Sequence, residues 1–163
     1  MSEIKVAIAS DSRLIREGIE ALLSARPEVD VVGTSNAGTE AIRAAQKSRA
    51  RILVFDMPEP KSLSLELLAR LGSELPELSL IAVSHRRDEP LIQSVLREGV
   101  CGYLCSRDGA EELVEAVLAV AEGGTYLCPE ASGVLVRHYR SKVRSSSGKV
   151  ANDSGRRSPS QGT

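Results

Sequence analysis

Arg51-Ile52-Leu53-Val54-Phe55-Asp56-Met57-Pro58-Glu59-Pro60 decides the fold. Its four consecutive large apolar residues, two β-branched and one aromatic, lack a helical period and read as a strand buried on both faces, as at the centre of a parallel sheet. The run ends on a carboxylate. Pro58 and Pro60 then deny the chain a continued ladder, so Asp56 stands where a central strand leaves the sheet and a loop begins. In an open α/β sheet that edge is where ligands sit. The alternative is an aspartate that only opens a turn.

Outward from this strand, the chain alternates strand and helix. Ile4–Ala9 is strand-like, and Ser10-Asp11-Ser12 offers caps for a helix whose Leu14, Ile15, Ile19, Leu22 and Leu23 share a face. Val29–Val32 give a second strand and Ala41, Ile42, Ala44 and Ala45 the inner side of a second helix. After the proline loop, Leu67, Leu71 and Leu75 at spacing four mark a third helix, closed by Pro76. Leu78–Ser84 is a fourth strand that stops on a hydroxyl. Asp88 and Pro90 open a fourth helix, Gly99 ends it, and Val100–Cys105 form a short fifth strand. Asp108, Glu111 and Glu112 load the first turn of a fifth helix that stops at Gly123-Gly124. This spacing predicts repeated strand-helix units and excludes an all-β fold.

Composition sets the outer limits. The 163 residues, 42% of them hydrophobic, suffice for one core and a tail. With 21 basic and 22 acidic residues the net charge is −1, so no global field recruits nucleic acid or an anionic membrane. No apolar run approaches the roughly 20 residues of a membrane helix, and Met1-Ser2-Glu3-Ile4-Lys5 is no signal peptide; no membrane partner and a cytoplasmic location are expected. Cys101, Cys105 and Cys128 have neither paired spacing nor neighbouring histidines, and read as buried free thiols rather than a disulfide or zinc site. Thr125–Pro129 leads into a further helix through Val134, Leu135, Val136 and Tyr139, a linker over 125–140. From 141 to 163 the chain is rich in Ser and Gly, with five basic residues against Asp153; that net of +4 leaves −5 on residues 1–140. This is the composition of a disordered basic tail, with no aromatic residue to stack on bases.

Parallel strands joined by right-handed crossovers end on one edge, so Asp11, Asp56, Ser84 and Ser106 are expected at a common rim. Paired carboxylates with a backbone carbonyl suit Mg²⁺, and a carboxylate can act as nucleophile in phosphoryl transfer. Spacing alone does not tell whether the first and third strands are neighbours.

Ile4–Asp11, the strand ending on Asp56 with Pro60 four residues on, Ser84, Glu98-Gly99-Val100-Cys101-Gly102-Tyr103-Leu104, and Glu111-Glu112-Leu113 through Gly123-Gly124-Thr125-Tyr126-Leu127 together resemble a receiver domain of a bacterial two-component response regulator. The NarL/FixJ (LuxR-type) branch is the best match. The resemblance spans residues 3 to 140, with the receiver itself over 3–124. It implies a flavodoxin-like (βα)5 doubly wound sheet of order 2-1-3-4-5, which makes the first and third strands neighbours. It further implies Asp56 as acceptor of a phosphoryl group from a sensor histidine kinase, with Mg²⁺ held by Asp11, Asp56 and the carbonyl of Pro58. Ser84 matches the hydroxyl that bonds the phosphoryl group, and Tyr103 the aromatic switch that swings inward behind it. Such a module is not an enzyme; it regulates transcription through a helix-turn-helix domain, so DNA enters only if the full-length protein has one. The branch dimerises, and Arg86, Arg87, Arg97 and Glu98 put a possible homodimer on the fourth and fifth helices.

Two positions depart from the family pattern. Ser10 stands where the family has its first acid, and Ser106 where it has a lysine that contacts phosphoryl oxygens. Losing one charge of each sign leaves metal attraction less damaged than phosphoryl stabilisation. Arg107 is a candidate replacement, although neighbours on an extended strand point to opposite sides. His85, after Ser84, stands where a small residue is common; it either crowds the phosphoryl group or is an ordinary surface residue. The expectation is a divergent receiver with weak Mg²⁺ binding and impaired phosphorylation. The alternative is a pseudo-receiver that signals without phosphate as a protein-protein interaction module. Two other classes fail on single residues: a haloacid dehalogenase needs an acid where Pro58 stands, and a nucleotide fold needs a glycine-rich turn where Ser10-Asp11-Ser12-Arg13 stands.

Overall fold

The computed structural model describes the backbone of residues 3–155 and the side chains of residues 3–146. Six parallel strands run β1 (Ile4–Ala9), β2 (Val29–Ser35), β3 (Ile52–Asp56), β4 (Ser79–Ser84), β5 (Gly102–Cys105) and β6 (Tyr126–Leu127). Between and after them come α1 (Arg13–Ser24), α2 (Glu40–Ser48), α3 (Lys61–Glu74), α4 (Glu89–Arg97), α5 (Ala110–Ala121) and α6 (Pro129–Gly155). The sheet order is β2-β1-β3-β4-β5-β6, so the 2-1-3-4-5 order holds and β1 lies beside β3. The sixth strand is an addition: residues read as a lead-in to the last helix pair with Gly102 and Tyr103.

Alternation along the strands builds two cores. Val6, Ile8, Ile52, Val54, Ile81 and Leu104 face α1 and α5, where Ile19, Leu23, Leu113, Val117 and Val120 cover them. Leu53, Phe55, Leu80, Ala82 and Tyr103 face the other way, onto Leu67, Leu68 and Leu71 of α3 and Leu91, Ile92 and Val95 of α4. All five residues of β3 are buried, as a central strand requires. Gly102 eases a close approach, because a Cβ there would meet Ile81 Cγ1 at 3.0 Å and push that side chain aside.

Local signals fix the helix starts. Ser12 caps α1 by accepting from the Ile15 amide, and Asp88 caps α4 by accepting from the Leu91 amide. Two leucines of the expected inner face of α1 point outward: Leu14 is 83% exposed and Leu22 41% exposed. The apolar stripe of α1 is thus wider than the strip that the sheet covers.

The composition change at 141 has no counterpart in the backbone, which continues as α6 to Gly155. Ser and Gly lower helix propensity without stopping a helix, and no proline interrupts the chain between Pro129 and Pro159. Residues 156–163, where the expected disordered tail ends, lie outside the described residues. Within α6, Ala131 and Val134 are buried, and Arg137 donates to Glu89 Oε1 on α4 at 3.2 Å. No helix among the described residues is long and apolar enough to cross a membrane.

Candidate functional site

Parallel registers decide which residues meet at the C-terminal rim. Ala9 pairs with Phe55 and Asp56 with Val83, so the residues that follow, Ser10 and Ser84-His85, flank Asp56 on either side. Asp56 is 6% exposed, and both its oxygens are engaged. Ser10 Oγ, itself fully buried, donates to Oδ2 at 2.7 Å, and His85 Nε2 lies 2.5 Å from Oδ1. The His85 side chain is 43% exposed, so it covers the carboxylate from the solvent side. A carboxylate buried to this degree needs such partners, since an unpaired charge there would be costly.

The other expected metal donors hold bonds elsewhere. Asp11 is exposed and accepts from the Ala37 amide at 2.9 Å, which ties the end of β1 to the turn before α2. The Pro58 carbonyl accepts a short hydrogen bond from Ser64 Oγ, buried in the first turns of α3. Ser84 is 2% exposed and closes a local loop, donating to the Arg86 carbonyl at 3.1 Å and accepting from the Arg86 amide at 3.2 Å.

Tyr103 lies wholly inside, on the face of β5 that packs against α4. Burial pushes its phenol up to about 12; the nearby Ser84 hydroxyl pulls it the other way without offsetting the shift. That hydroxyl is committed to Arg86, and the Tyr103 hydroxyl has no hydrogen-bond partner among the described residues. Ser106 is exposed at the end of β5, and its amide donates to the Ser84 carbonyl at 2.8 Å. Arg107 sits in a turn closed by Asp108, whose carboxylate takes the Cys105 amide at 2.8 Å. No hydrogen bond or ion pair joins Ser106 or Arg107 to Asp56 among the described residues.

The rim thus brings together Asp56, Ser10 and His85, with Ser84 and Ser106 alongside, while Asp11 turns toward α2. Ser10 entered the sequence reading as a cap candidate and a missing acid, yet it is the hydroxyl that bonds the central carboxylate. His85 is half exposed and in contact with Asp56. Its position next to Ser84 on a neighbouring strand was the available signal. Nothing in the sequence pointed to Ser64.

Outside this rim, two exposed ion pairs link the loops that flank it: Arg86 with Glu59 at 2.9 Å and Lys61 with Asp88 at 3.7 Å. Exposed pairs contribute little to stability, about 0–1 kcal/mol each. Their effect is to hold the β3-α3 and β4-α4 loops around a cavity of about 210 Å³ lined by Pro58, Lys61, Ser84 and His85.

Residues 6–118 match the family model described as response regulator receiver domain. The chain is 32% identical over 142 residues to the transcriptional regulatory protein DegU of Brevibacillus brevis, covering 87% of this chain and 60% of that one. It is 33% identical over 138 residues to the DNA-binding transcriptional activator DevR/DosR of Mycobacterium tuberculosis, covering 84% of this chain and 63% of the relative. The chain therefore spans about three fifths of the length of these curated relatives. In structure it is similar to the isolated REC domain of RcsB from Salmonella enterica serovar Typhimurium, with TM-score 0.75, 23% identity, and coverage of 82% of this chain and 99% of that one.

Proposed function

The chain belongs to the response regulator receiver family, the receiving modules of two-component signalling, and from that premise we propose that Asp56 accepts a phosphoryl group from a sensor histidine kinase with impaired efficiency. The observation that carries this reading is the double engagement of Asp56. Its Oδ2 holds Ser10 and its Oδ1 holds His85, so the nucleophilic oxygen is hydrogen-bonded before a donor arrives. A hydrogen bond to the ground-state carboxylate stabilises the reactant more than the transition state and slows attack. On the product side, Ser84 can donate one hydrogen bond, and Ser106 brings no cation to the phosphoryl oxygens.

The donor set fits Mg²⁺ in kind. Asp11, Asp56 and the Pro58 carbonyl are hard oxygens, and each keeps lone pairs beyond the one in use. In place of a further acid stands Ser10, a neutral hydroxyl bonded to Asp56. The metal would neutralise charge between the aspartate and an incoming phosphoryl group, and affinity is expected to be weak. The residues do the rest: Ser10 fixes the carboxylate plane, His85 shields it, and Ser84 sits behind it.

A second reading has its own support. Tyr103 is fully buried, which matches the inward position of the family's aromatic switch. A pseudo-receiver, acting as an interaction module through one conformation, accounts for this directly. Titration with beryllofluoride and Mg²⁺, followed by NMR, separates the two: shifts at Asp56, Ser84 and Tyr103 support the impaired receiver, and an unchanged spectrum supports the pseudo-receiver.

DegU and DevR/DosR are by name a transcriptional regulatory protein and a DNA-binding transcriptional activator, and RcsB dimers have been solved bound to DNA. By analogy this module would regulate transcription in the cytoplasm, with DNA as a partner only where a DNA-binding domain is joined to it. A homodimer through α4 and α5 is part of this reading. In this structure α6 lies over part of α4, so dimerisation through that face requires α6 to move.

A further inference from the structure

Cys105 closes β5 and Cys128 immediately precedes α6, and their Sγ atoms lie 3.3 Å apart in the core. Glu130, in the first turn of α6, brings its Oε2 to 4.0 Å from Cys105 Sγ. The three donor atoms all lie within 4.8 Å of one another. We propose that Cys105, Cys128 and Glu130 form a site for one thiophilic divalent cation of the zinc class, with water or a further ligand completing a tetrahedron.

The distances argue for a cation. Metal bonds of about 2.0–2.3 Å in a tetrahedron put neighbouring ligand atoms roughly 3.3–3.8 Å apart, close to the separations already present. The backbone holds both cysteines in place: the Cys128 amide donates to the Tyr103 carbonyl at 2.9 Å, and the Cys105 amide to Asp108 at 2.8 Å. To take the metal the two sulfurs must part by a few tenths of an ångström and Glu130 must close in by a similar amount.

The charge around the pair points the same way. The carboxylates of Glu130 and Asp108 both lie beside the two cysteines, so the pocket carries negative charge that a dication would offset. Binding is balanced as two thiols and one M²⁺ giving a dithiolate complex and two protons released to solvent. Cys105 is 4% and Cys128 1% exposed, so the half-buried Glu130 marks the side from which the ion enters. The competing fate is a disulfide, in which the thiols lose two protons and two electrons to an oxidant such as hydrogen peroxide. Neutral, buried thiols react slowly in that way.

The site ties the head of α6 to the strand that carries Tyr103. A bound cation would therefore fix α6 against β5 next to the switch position, giving the module an input separate from Asp56.

Titrating the reduced chain with Cd²⁺ alone, followed by thiolate-to-metal absorbance in the ultraviolet, tests the proposal. One equivalent is expected to bind, Zn²⁺ should displace it, and Cys101→Ser should bind unchanged. Cys105→Ser and Cys128→Ser should abolish the band, and Glu130→Gln should weaken binding by about tenfold or more. Mass mapping of alkylated wild-type protein needs no variant: Zn²⁺ should protect Cys105 and Cys128 and leave Cys101 unprotected. No absorbance band, a band that survives both serine variants, equal protection of all three thiols, or a Cys105-Cys128 disulfide forming in preference to the complex would overturn it.

Discussion

His85 Nε2 meets Asp56 Oδ1 at 2.5 Å across the mouth of the rim, on the solvent side, where the proposed phosphoryl donor would approach. The histidine is half exposed and the aspartate buried, so the contact works as a cover. Its removal opens Asp56 Oδ1 to water, which can replace the lost hydrogen bond, so the cost to the fold should be small.

Replacing His85 with alanine frees one oxygen of Asp56. A hydrogen bond to a charged acceptor is worth about 1.5–3 kcal/mol, and roughly 1.4 kcal/mol off a barrier is tenfold in rate. Labelling of Asp56 by acetyl phosphate should therefore rise about tenfold in His85→Ala, read by intact mass. An unchanged yield would mean that His85 is a bystander and that the missing fifth-strand cation alone limits the reaction.

Tyr103→Phe removes a buried hydroxyl that has no partner among the described residues while keeping the ring. Burying an unpaired hydroxyl costs about 1–3 kcal/mol, so the variant should gain about 1 kcal/mol in urea unfolding without a change in slope. A loss of similar size would reveal a partner, with Ser84 the first candidate.

The fold was legible because its signals are local and redundant. The apolar run 52–55, the caps at Ser12 and Asp88, and Gly99 each name an element without reference to any other. β6 was not legible, since Tyr126-Leu127 is too short to show a period and becomes a strand only because Gly102 and Tyr103 lie beside it. The rim was half legible. Topology brings Asp56 and Ser84 together, but whether a side chain turns inward depends on backbone twist past the strand ends, where Asp11 goes to Ala37 and Ser10 to Asp56. Likewise, the meeting of Cys105 and Cys128 is set by β5-β6 pairing across 23 residues of sequence, which no spacing rule reports.

Val134 of α6 is 2% exposed, whereas Arg137 and Glu89 make a half-exposed pair. Burial should then hold α6 more than charge does. Val134→Ala is expected to cost about 1 kcal/mol or more and speed hydrogen exchange in α6, while Arg137→Ala should change stability by less than about 0.5 kcal/mol. If self-association uses α4, sedimentation should show more dimer for Val134→Ala than for wild type. Equal monomer fractions would remove α4 from the proposed interface.

The strongest prediction concerns what the rim lacks. Ser106 is exposed, and its amide bonds the Ser84 carbonyl, so a lysine there would start from the same rim that carries Asp56. Ser106→Lys should raise acetyl phosphate labelling, because a cation near the developing charge is worth more in a partly dry site than in water. Ser10→Asp is a different case. It replaces a hydroxyl 2.7 Å from Asp56 with a second carboxylate, so without metal the two repel and the melting temperature should fall. Added Mg²⁺ should bring it back, by an amount that grows with metal concentration as binding to the native state requires. The double variant should therefore label in a Mg²⁺-dependent way and show NMR shifts at Ser84 and Tyr103 that wild type does not. Full, Asp56-dependent labelling of wild type would falsify the impaired reading outright. An inert double variant that still binds Mg²⁺ would instead locate the block at His85 or at the Pro58 carbonyl that Ser64 holds.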